Sequence, residues 1–380
     1  MILIFTRGRD LLLLVFLLSL FGVTGFAQSS KQAPPKFLFA ISSKKDPQMK
    51  LGPLSCAFIN EKNNEIYVGL KDEMKILVYD LDGYFLNEIQ SSEFGYPASI
   101  ALDSQGNLYV LDGTSPRVTV VDFNGTLLNK IDLSQLPDGT KAIPFKVVYC
   151  ENGDLILGDN IEKRILRIDS SGGIVSQFDF SKPFEGKLQV SSDFAIDRWG
   201  RFYILDRIGS IICVFDSKGK FQFKFGVAGG GPGTLSLPEG IVIDSKDRVY
   251  VVSHARHTVL VYDITGKYLY EFGGCGDAEG WFDFPRRVCI DGKNRLYFTE
   301  LYNNRLQIFQ IIETATPTAA IATETSQKLA GPASHPSSKA NTASSVVEYQ
   351  PGQASLAVPL AATATLASKA DNLSSGSAHP

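Results

Sequence analysis

Histidine is scarce in this chain, with four copies in 380 residues, and no Ser-His-Asp or Cys-His arrangement stands out. The five cysteines (Cys56, Cys150, Cys213, Cys275, Cys289) form no CxxC and no CxxCH. That leaves out common zinc-ribbon and covalent-haem signatures. A marked excess of one charge sign is missing as well: a formal net charge of −3 provides no electrostatic case for nucleic acid. The stretch "GVAGGGPGTLS", residues 226–236, is rich in glycine but lacks a Lys-Ser/Thr ending and a following helix. It is no phosphate loop and reads as a flexible connector. The C-terminus, "DNLSSGSAHP", is polar, so neither a C-terminal membrane span nor a GPI signal fits.

What is present falls into three segments. Residues 1–27 carry Arg7 and Arg9, an apolar run from Leu11 to Phe21, and small residues Gly25 and Ala27 before Gln28. This is the layout of a secretory signal peptide cleaved after Ala27. The alternative is an uncleaved membrane anchor, but the run is short against the roughly 20 residues a bilayer span needs. The expected location is therefore periplasmic or extracellular, with membrane contact only through an uncleaved leader. An odd cysteine count in an exported chain leaves one thiol free or paired between molecules, and most of the five sit in strand-like runs as small hydrophobes. Residues 28–35 form a short linker. Residues 313–380 are rich in Ala, Ser, Thr and Pro, nearly lack aromatics, and read as a disordered tail.

Residues 36–312 repeat. Tyr109, Ile156, Tyr203, Tyr250 and Tyr297 are each 47 residues apart, and so are Asp103, Cys150, Asp197, Asp244 and Asp291. A second landmark, Asp122, Asp169, Asp216, Asp263 and Gln310, keeps the same spacing. A less regular copy precedes them ("CAFINEKNNEIYVG", then "KILVYDLDG"), making six. Each copy reads as four strands, a to d. The a–b turn carries Gly106, Gly153, Gly200, Asp247 or Asn294, residues that tolerate the left-handed backbone of a tight hairpin. The c–d turn carries Gly83, Gly125, Gly172, Gly219 or Gly266. β-Branched and aromatic residues dominate, with no helical period. Such units imply an all-β, six-bladed β-propeller of four-stranded antiparallel blades. The sixth copy stops after strand c. "KFLFAI" (36–41) matches "KYLYEF" (267–272), with Phe37, Leu38, Phe39 and Ile41 opposite Tyr268, Leu269, Tyr270 and Phe272. The N-terminal strand is therefore expected to complete the last blade and cover its edge.

The segments "GGGPGTLSLPEGIVIDSKDRVYVVSHARHTVLVYDITGKYLYEFG" and "GWFDFPRRVCIDGKNRLYFTELYNNRLQIF" resemble the NHL family of six-bladed propellers, here as an exported bacterial member. They share a Gly-rich approach, Pro238 and Pro285 before strand a, an Asp-to-Tyr hairpin, and Asn303 and Arg305 before strand c. The resemblance covers roughly residues 36–312. It implies the fold more firmly than a function, because the family includes scaffolds, RNA binders and a few lyases.

Candidate site residues come from the loops. Asp103, Asp197, Asp244 and Asp291 open one hairpin turn, and Asp80, Asp122, Asp169, Asp216 and Asp263 the other; both sets are expected to bond nearby backbone rather than calcium. Asp112, Asp159, Asp206, Ser253 and Glu300 hold equivalent positions in the b–c loops. The resemblance implies a structural role for these, to backbone or to an arginine such as Arg305. Blade five departs with "SHARHTV": His254 and His257 could share a metal with Asp206 and Glu300. The family's lyases, however, draw histidines from several blades, and only this loop has any. Arg117, Arg207, Arg256, Arg286 and Arg287 could make a mildly basic rim. Trp199 and Trp281 are candidates for exposed contacts. The expectation is a non-enzymatic, monomeric binding scaffold that needs no cofactor. Its partner would be an extracytoplasmic protein or polysaccharide. The alternative is a metal-assisted lyase or hydrolase at the channel mouth.

Overall fold

The computed structural model describes residues 33–43, 51–184, 188 and 190–313. The leader 1–27, the first part of the linker and residues 314–380 lie outside them. Six four-stranded antiparallel sheets make up the described chain, with only two short 3-10 turns, Lys182–Phe184 and His254–Arg256. The innermost strands are the a strands: Leu54–Asn60, Pro97–Leu102, Pro144–Tyr149, Ser191–Ile196, Pro238–Ile243 and Pro285–Ile290. Each contacts the a strands of both neighbours, and the sixth returns to the first, so the ring is closed.

The closing strand is where the repeat places it. Lys36–Ser42 pairs antiparallel with Arg305–Gln310, and the sixth sheet reads Lys36–Ser42, Arg305–Gln310, Arg295–Glu300, Pro285–Ile290 across. Phe37 faces Phe309 and Ile41 faces Leu306; in blade five Phe272 faces Val259, 47 residues before Leu306. The Phe37 ring meets Phe309 edge-on at 5.7 Å and joins a cluster of Phe272, Phe282 and Phe298 between blades five and six. Each fully buried aromatic or aliphatic side chain contributes about 1.5–3 kcal/mol, so this seam is a hydrophobic closure as well as a hydrogen-bonded one.

The turn aspartates do what their phase predicts. Asp103, Asp197, Asp244 and Asp291 each accept two backbone N–H bonds inside their own a–b turn, at 2.8–3.0 Å. Asp80, Asp122, Asp169, Asp216 and Asp263 repeat this in the c–d turns. Asp247 and Asn294 occupy the left-handed region at φ 61° and 57°, where blades two to four use glycine and blade one uses Asn64. The Gly-rich stretch expected as a flexible connector is a bonded loop instead: Leu235 N–H reaches Val227 O at 2.7 Å, and Gly229 N–H reaches Leu235 O at 2.9 Å.

Every a strand has a register shift just after its first residue. A bulge there re-aims side chains at the end of the strand. In blade five the bulged residue is Glu239; in blade six Arg286 and Arg287 lie in the shift. Gly240 follows Glu239, and a Cβ there would stand 2.7 Å from Arg286 O, so blades five and six approach backbone to backbone.

Candidate binding site at the channel mouth

The bulges bring charged groups from three blades together. Arg207, just after strand b of blade four (Phe202–Asp206), donates through Nε to one Glu239 oxygen at 3.1 Å; Arg286 donates to the other, also at 3.1 Å. Arg287 Nη1 donates to Ser192 O at 2.5 Å and Glu239 O at 3.2 Å. His254 Nδ1 lies 3.0 Å from Pro285 O. Burial alone would push the Glu239 carboxyl up, but the charges of Arg286, His254 and Arg287 outweigh it and hold the group below the usual carboxylate range. Burial lowers the His254 value more than Glu239 raises it.

Below the mouth the channel is filled. Lys146 Nζ pairs with Asp193 at 2.7 Å and donates to Phe194 O at 2.7 Å; Asp193 also accepts from Ile241 N–H at 3.2 Å. Ser55 and Cys56 bond Pro97 O, Ser99 bonds Val147 N–H, Ser192 bonds Pro238 O, and Cys289 Sγ bonds Ala57 O. Adjacent inner strands are thus stitched around the whole ring by side chains. Burial pushes the Cys56 and Cys289 thiols up to about 12, so both are protonated and unreactive at neutral pH. The cavity left among Cys56, Lys146, Asp193, Arg287 and Cys289 is about 50 Å³. That is room for a water or two and no substrate. A ligand approaching along the channel axis would therefore meet the surface of the mouth and not the channel interior.

The remaining candidates serve the frame. Asp112, Asp159, Ser253 and Glu300 each accept a backbone N–H from the incoming connector: Gly95, Ile143, Ser236 and Asp283 at 3.1, 3.0, 2.9 and 2.7 Å. Arg117 pairs with Asp112 and Arg305 with Glu300. Arg256 is not on a shared rim: it holds Glu271 with two nitrogens, at 2.9 and 3.0 Å, and Thr234 O at 2.6 Å. The rim therefore contracts to Arg207, Arg286 and Arg287.

His254 and His257 do not converge on a metal. His257 Nδ1 faces both Phe284 N–H, at 3.1 Å, and Phe282 O, at 3.2 Å. One nitrogen cannot accept and donate at once. The Nε2–H tautomer takes the Phe284 bond, and a protonated Nδ1 takes the Phe282 bond. Either way the ring braces Phe284, a left-handed residue at φ 51° packed 4.3 Å from His257 and 5.1 Å from His254. Glu300 is taken up by Arg305, Asn303 and Gln307. Among the described residues no group of three or more His, Cys, Asp or Glu is placed to hold a metal ion. Trp199 and Trp281 are about half exposed, Trp199 between the guanidinium groups of Arg198 and Arg201 at 4.7 and 5.0 Å.

Reading the loops alone misses Glu239, which sits on an a strand. A signal exists in the sequence: the in-phase positions Ala98, Phe145, Ser192, Glu239 and Arg286 turn from small or apolar to charged only in blades five and six.

Fold and site define a six-bladed β-propeller whose channel is plugged and whose mouth carries a charged cluster on one side. In agreement, a family model described as 6-bladed beta-propeller (DUF5128) matches residues 193–340. No curated protein matches the sequence. Among solved structures, a protein of unknown function from Bacteroides thetaiotaomicron is similar at 16% identity and TM-score 0.54, covering 74% of this chain and 73% of that one. The Cps50 (Swd1) β-propeller domain of Myceliophteria thermophila is similar at 10% identity and TM-score 0.52, covering 73% and 100%. A virginiamycin B lyase from Staphylococcus aureus is similar at 15% identity and TM-score 0.49, covering 70% and 97%. At these identities the likeness extends to the fold alone, and that to the lyase carries no functional weight.

Proposed function

We propose that this protein is an exported, NHL-like propeller that works as a binding scaffold, and that the mouth over blades four to six recognises an acidic group on a protein or polysaccharide. The observation that carries this reading is the sharing of Glu239 by Arg207 and Arg286, with Arg287 beside them, in a chain of net charge −3. With Lys146 and Asp193 below, four cations meet two carboxylates. The surplus positive charge is preorganised by bulged backbone, and Arg207 and Arg286 each keep roughly a third of the side chain exposed. Fixed arginines of this kind suit carboxylate or sulfate groups. The filled channel favours a surface contact over a buried reaction. Export rests on the leader's composition; a mature protein starting at Gln28 would support it, and a chain retaining residues 1–27 would count against it.

The test uses two probes, polygalacturonate for an acidic glycan and polyglutamate for an acidic peptide, titrated calorimetrically at two salt concentrations. The Arg207→Gln/Arg286→Gln pair keeps hydrogen bonds to Glu239 and removes both charges. Loss of two charge-assisted contacts predicts at least roughly tenfold weaker binding, with a flatter salt dependence. Equal binding by the parent and the double variant would sink the reading.

A further inference from the structure

We infer that the loop end of blade four holds an open site for a guanidinium group, supplied by an arginine side chain of a partner protein. The residues that form it are separate from the charged cluster at the channel mouth.

In each blade a short loop joins the last residue of strand b to the first residue of strand c, and in blades one, three, four and five these two residues are paired across the hairpin. In blade three these are Asp159 and Arg164, and in blade four Asp206 and Ile211. Blades two, three and six place an acid and an arginine at these two positions. Arg117 Nε lies 2.9 Å from Asp112, Arg164 Nε 3.2 Å from Asp159, and Arg305 Nε 2.5 Å from Glu300. Blade five has Ser253 and Thr258, and blade one Leu70 and Lys75, so neither has the acid. Blade four alone keeps the acid and lacks the base.

The acid in blade four is buried. Asp206 is 3% exposed. Its Oδ1 accepts from Ile208 N–H at 3.2 Å and Gly209 N–H at 3.0 Å. Its Oδ2 receives no hydrogen bond or ion pair among the described residues. In three sister blades a guanidinium pairs with the equivalent carboxylate, whereas here no cation of the described residues does so. Here the carboxylate borders a pocket of about 450 Å³, lined also by Pro183, Phe184, Leu188, Gly209, Ile211 and Lys224. A cavity of that size admits an arginine side chain with room to spare.

The lining matches that side chain part by part. Asp206 Oδ2 takes the guanidinium, and Phe184 offers a ring for the planar cation to stack on. Leu188 and Ile211 suit the methylene stem. Lys224 is exposed, with its ammonium over the Phe184 ring at 5.6 Å; it would have to swing off that ring as the guanidinium enters, and could then meet a carboxylate next to that arginine in the partner. Sugar hydroxyls could also bond a carboxylate, but the three sister blades supply a precedent for guanidinium and none for a hydroxyl network.

The experiment titrates the mature protein with N-acetyl-L-arginine amide, N-acetyl-L-lysine amide and methyl β-galactoside, read by NMR shifts and melting temperature. The arginine amide should bind saturably, with a Kd of the order of 1 mM. Asp206→Asn keeps the Oδ1 acceptor for Ile208 and Gly209, so it folds, and it should weaken the binding by roughly tenfold or more. Ile211→Arg should fill the site from within, raise the melting temperature and abolish the binding. Tyr84→Ser, at an exposed position of blade one, should leave the binding unchanged. Equal affinity in the parent and Asp206→Asn would overturn the inference. So would absence of saturable binding in the parent up to roughly ten times that Kd, or preference for the galactoside. An unchanged or lower melting temperature in Ile211→Arg would remove the internal precedent on which it stands.

Discussion

Blades four to six and blades one to three share a backbone but hold their inner hairpins with different chemistry. In the second half of the ring each a–b turn combines an aspartate, an arginine four residues on, and a tyrosine two beyond that. Arg201, Arg248 and Arg295 reach Asp197, Asp244 and Asp291 at 2.6, 2.5 and 2.7 Å. Tyr250 and Tyr297 donate to the same carboxylates. In the first half the sets differ. Blade one uses Glu65, bonded by Tyr67 at 2.8 Å; blade two pairs Asp103 with Asn107; blade three has Cys150, and Asp154 is bonded by Arg167. The turns themselves are alike, with a left-handed residue at Asn64, Gly106, Gly153, Gly200, Asp247 and Asn294. The propeller thus needs the turn backbone and the aliphatic strands, while the ionic sets are local additions. The family match begins at residue 193, so it covers the half where those sets are regular and where the charged mouth lies.

The largest expected effect would break the ring that both halves share. Deleting residues 36–41 uncovers Phe309, Leu306 and Ile308 and should remove roughly 5 kcal/mol or more, a fall of more than about 10 °C in melting temperature. A deletion that melts within a degree or two of the parent would show that the closing strand is ornamental. Next is a paired test of the halves. Asp244→Ala strips the carboxylate from the nearly buried Arg248 and should cost about 3 kcal/mol by chemical denaturation. Asp103→Ala removes a half-buried turn acceptor that holds no arginine and should cost about 1 kcal/mol. Similar losses in the two variants would erase the distinction between the halves.

The third prediction concerns acid. Burial would raise the Asp112 carboxyl, but bonds from Thr114, Gly95 and Ser115 dominate and bring it down to about 2. A depressed carboxylate contributes stability that is complete above its unfolded value of about 4 and is lost as pH falls through its folded value. Asp112 should thus contribute about 2 kcal/mol at neutral pH, fading between pH 4 and 2. Asp112→Asn should flatten the stability profile across that window; an unchanged slope would show that the b–c acids of the first half are not held as their bonds suggest. The smallest effect expected is at Gly106, where φ is 90° and an added Cβ would meet nothing within 4 Å. Gly106→Ala should cost about 1 kcal/mol from backbone strain alone. Gly240→Ala, in the regular half, meets Arg286 O and should cost more, about 2 kcal/mol.

Much of the architecture is legible because it repeats. The pairing of Phe37 with the phase of Tyr268 follows from strand alternation and a constant spacing, and both survive divergence of individual residues. The structural role of the turn aspartates is legible too, since a carboxylate that bonds N–H groups two and four residues away needs only local chain. The site is less so. Arg256 fits a rim by its place on a b–c loop, yet its partner Glu271 stands on the outer strand of the same blade. His254 and His257 fit a ligand pair by their closeness in sequence, yet one turns to the Pro285 carbonyl at the head of the sixth a strand and the other to the connector at Phe282 and Phe284. Glu239 escapes notice because its partners Arg207 and Arg286 lie 32 and 47 residues away.

The sequence by itself determined the number of blades, their phase, the closing strand and the turn chemistry, because those depend on dihedral preferences and alternation within a few tens of residues. Only the tertiary structure decided which charges meet, that the channel is plugged, and that one acid in blade four faces no base. Those outcomes depend on the convergence of strand ends from separate blades, where a bulge of one residue redirects a side chain and a carboxylate finds its partner through space rather than along the chain.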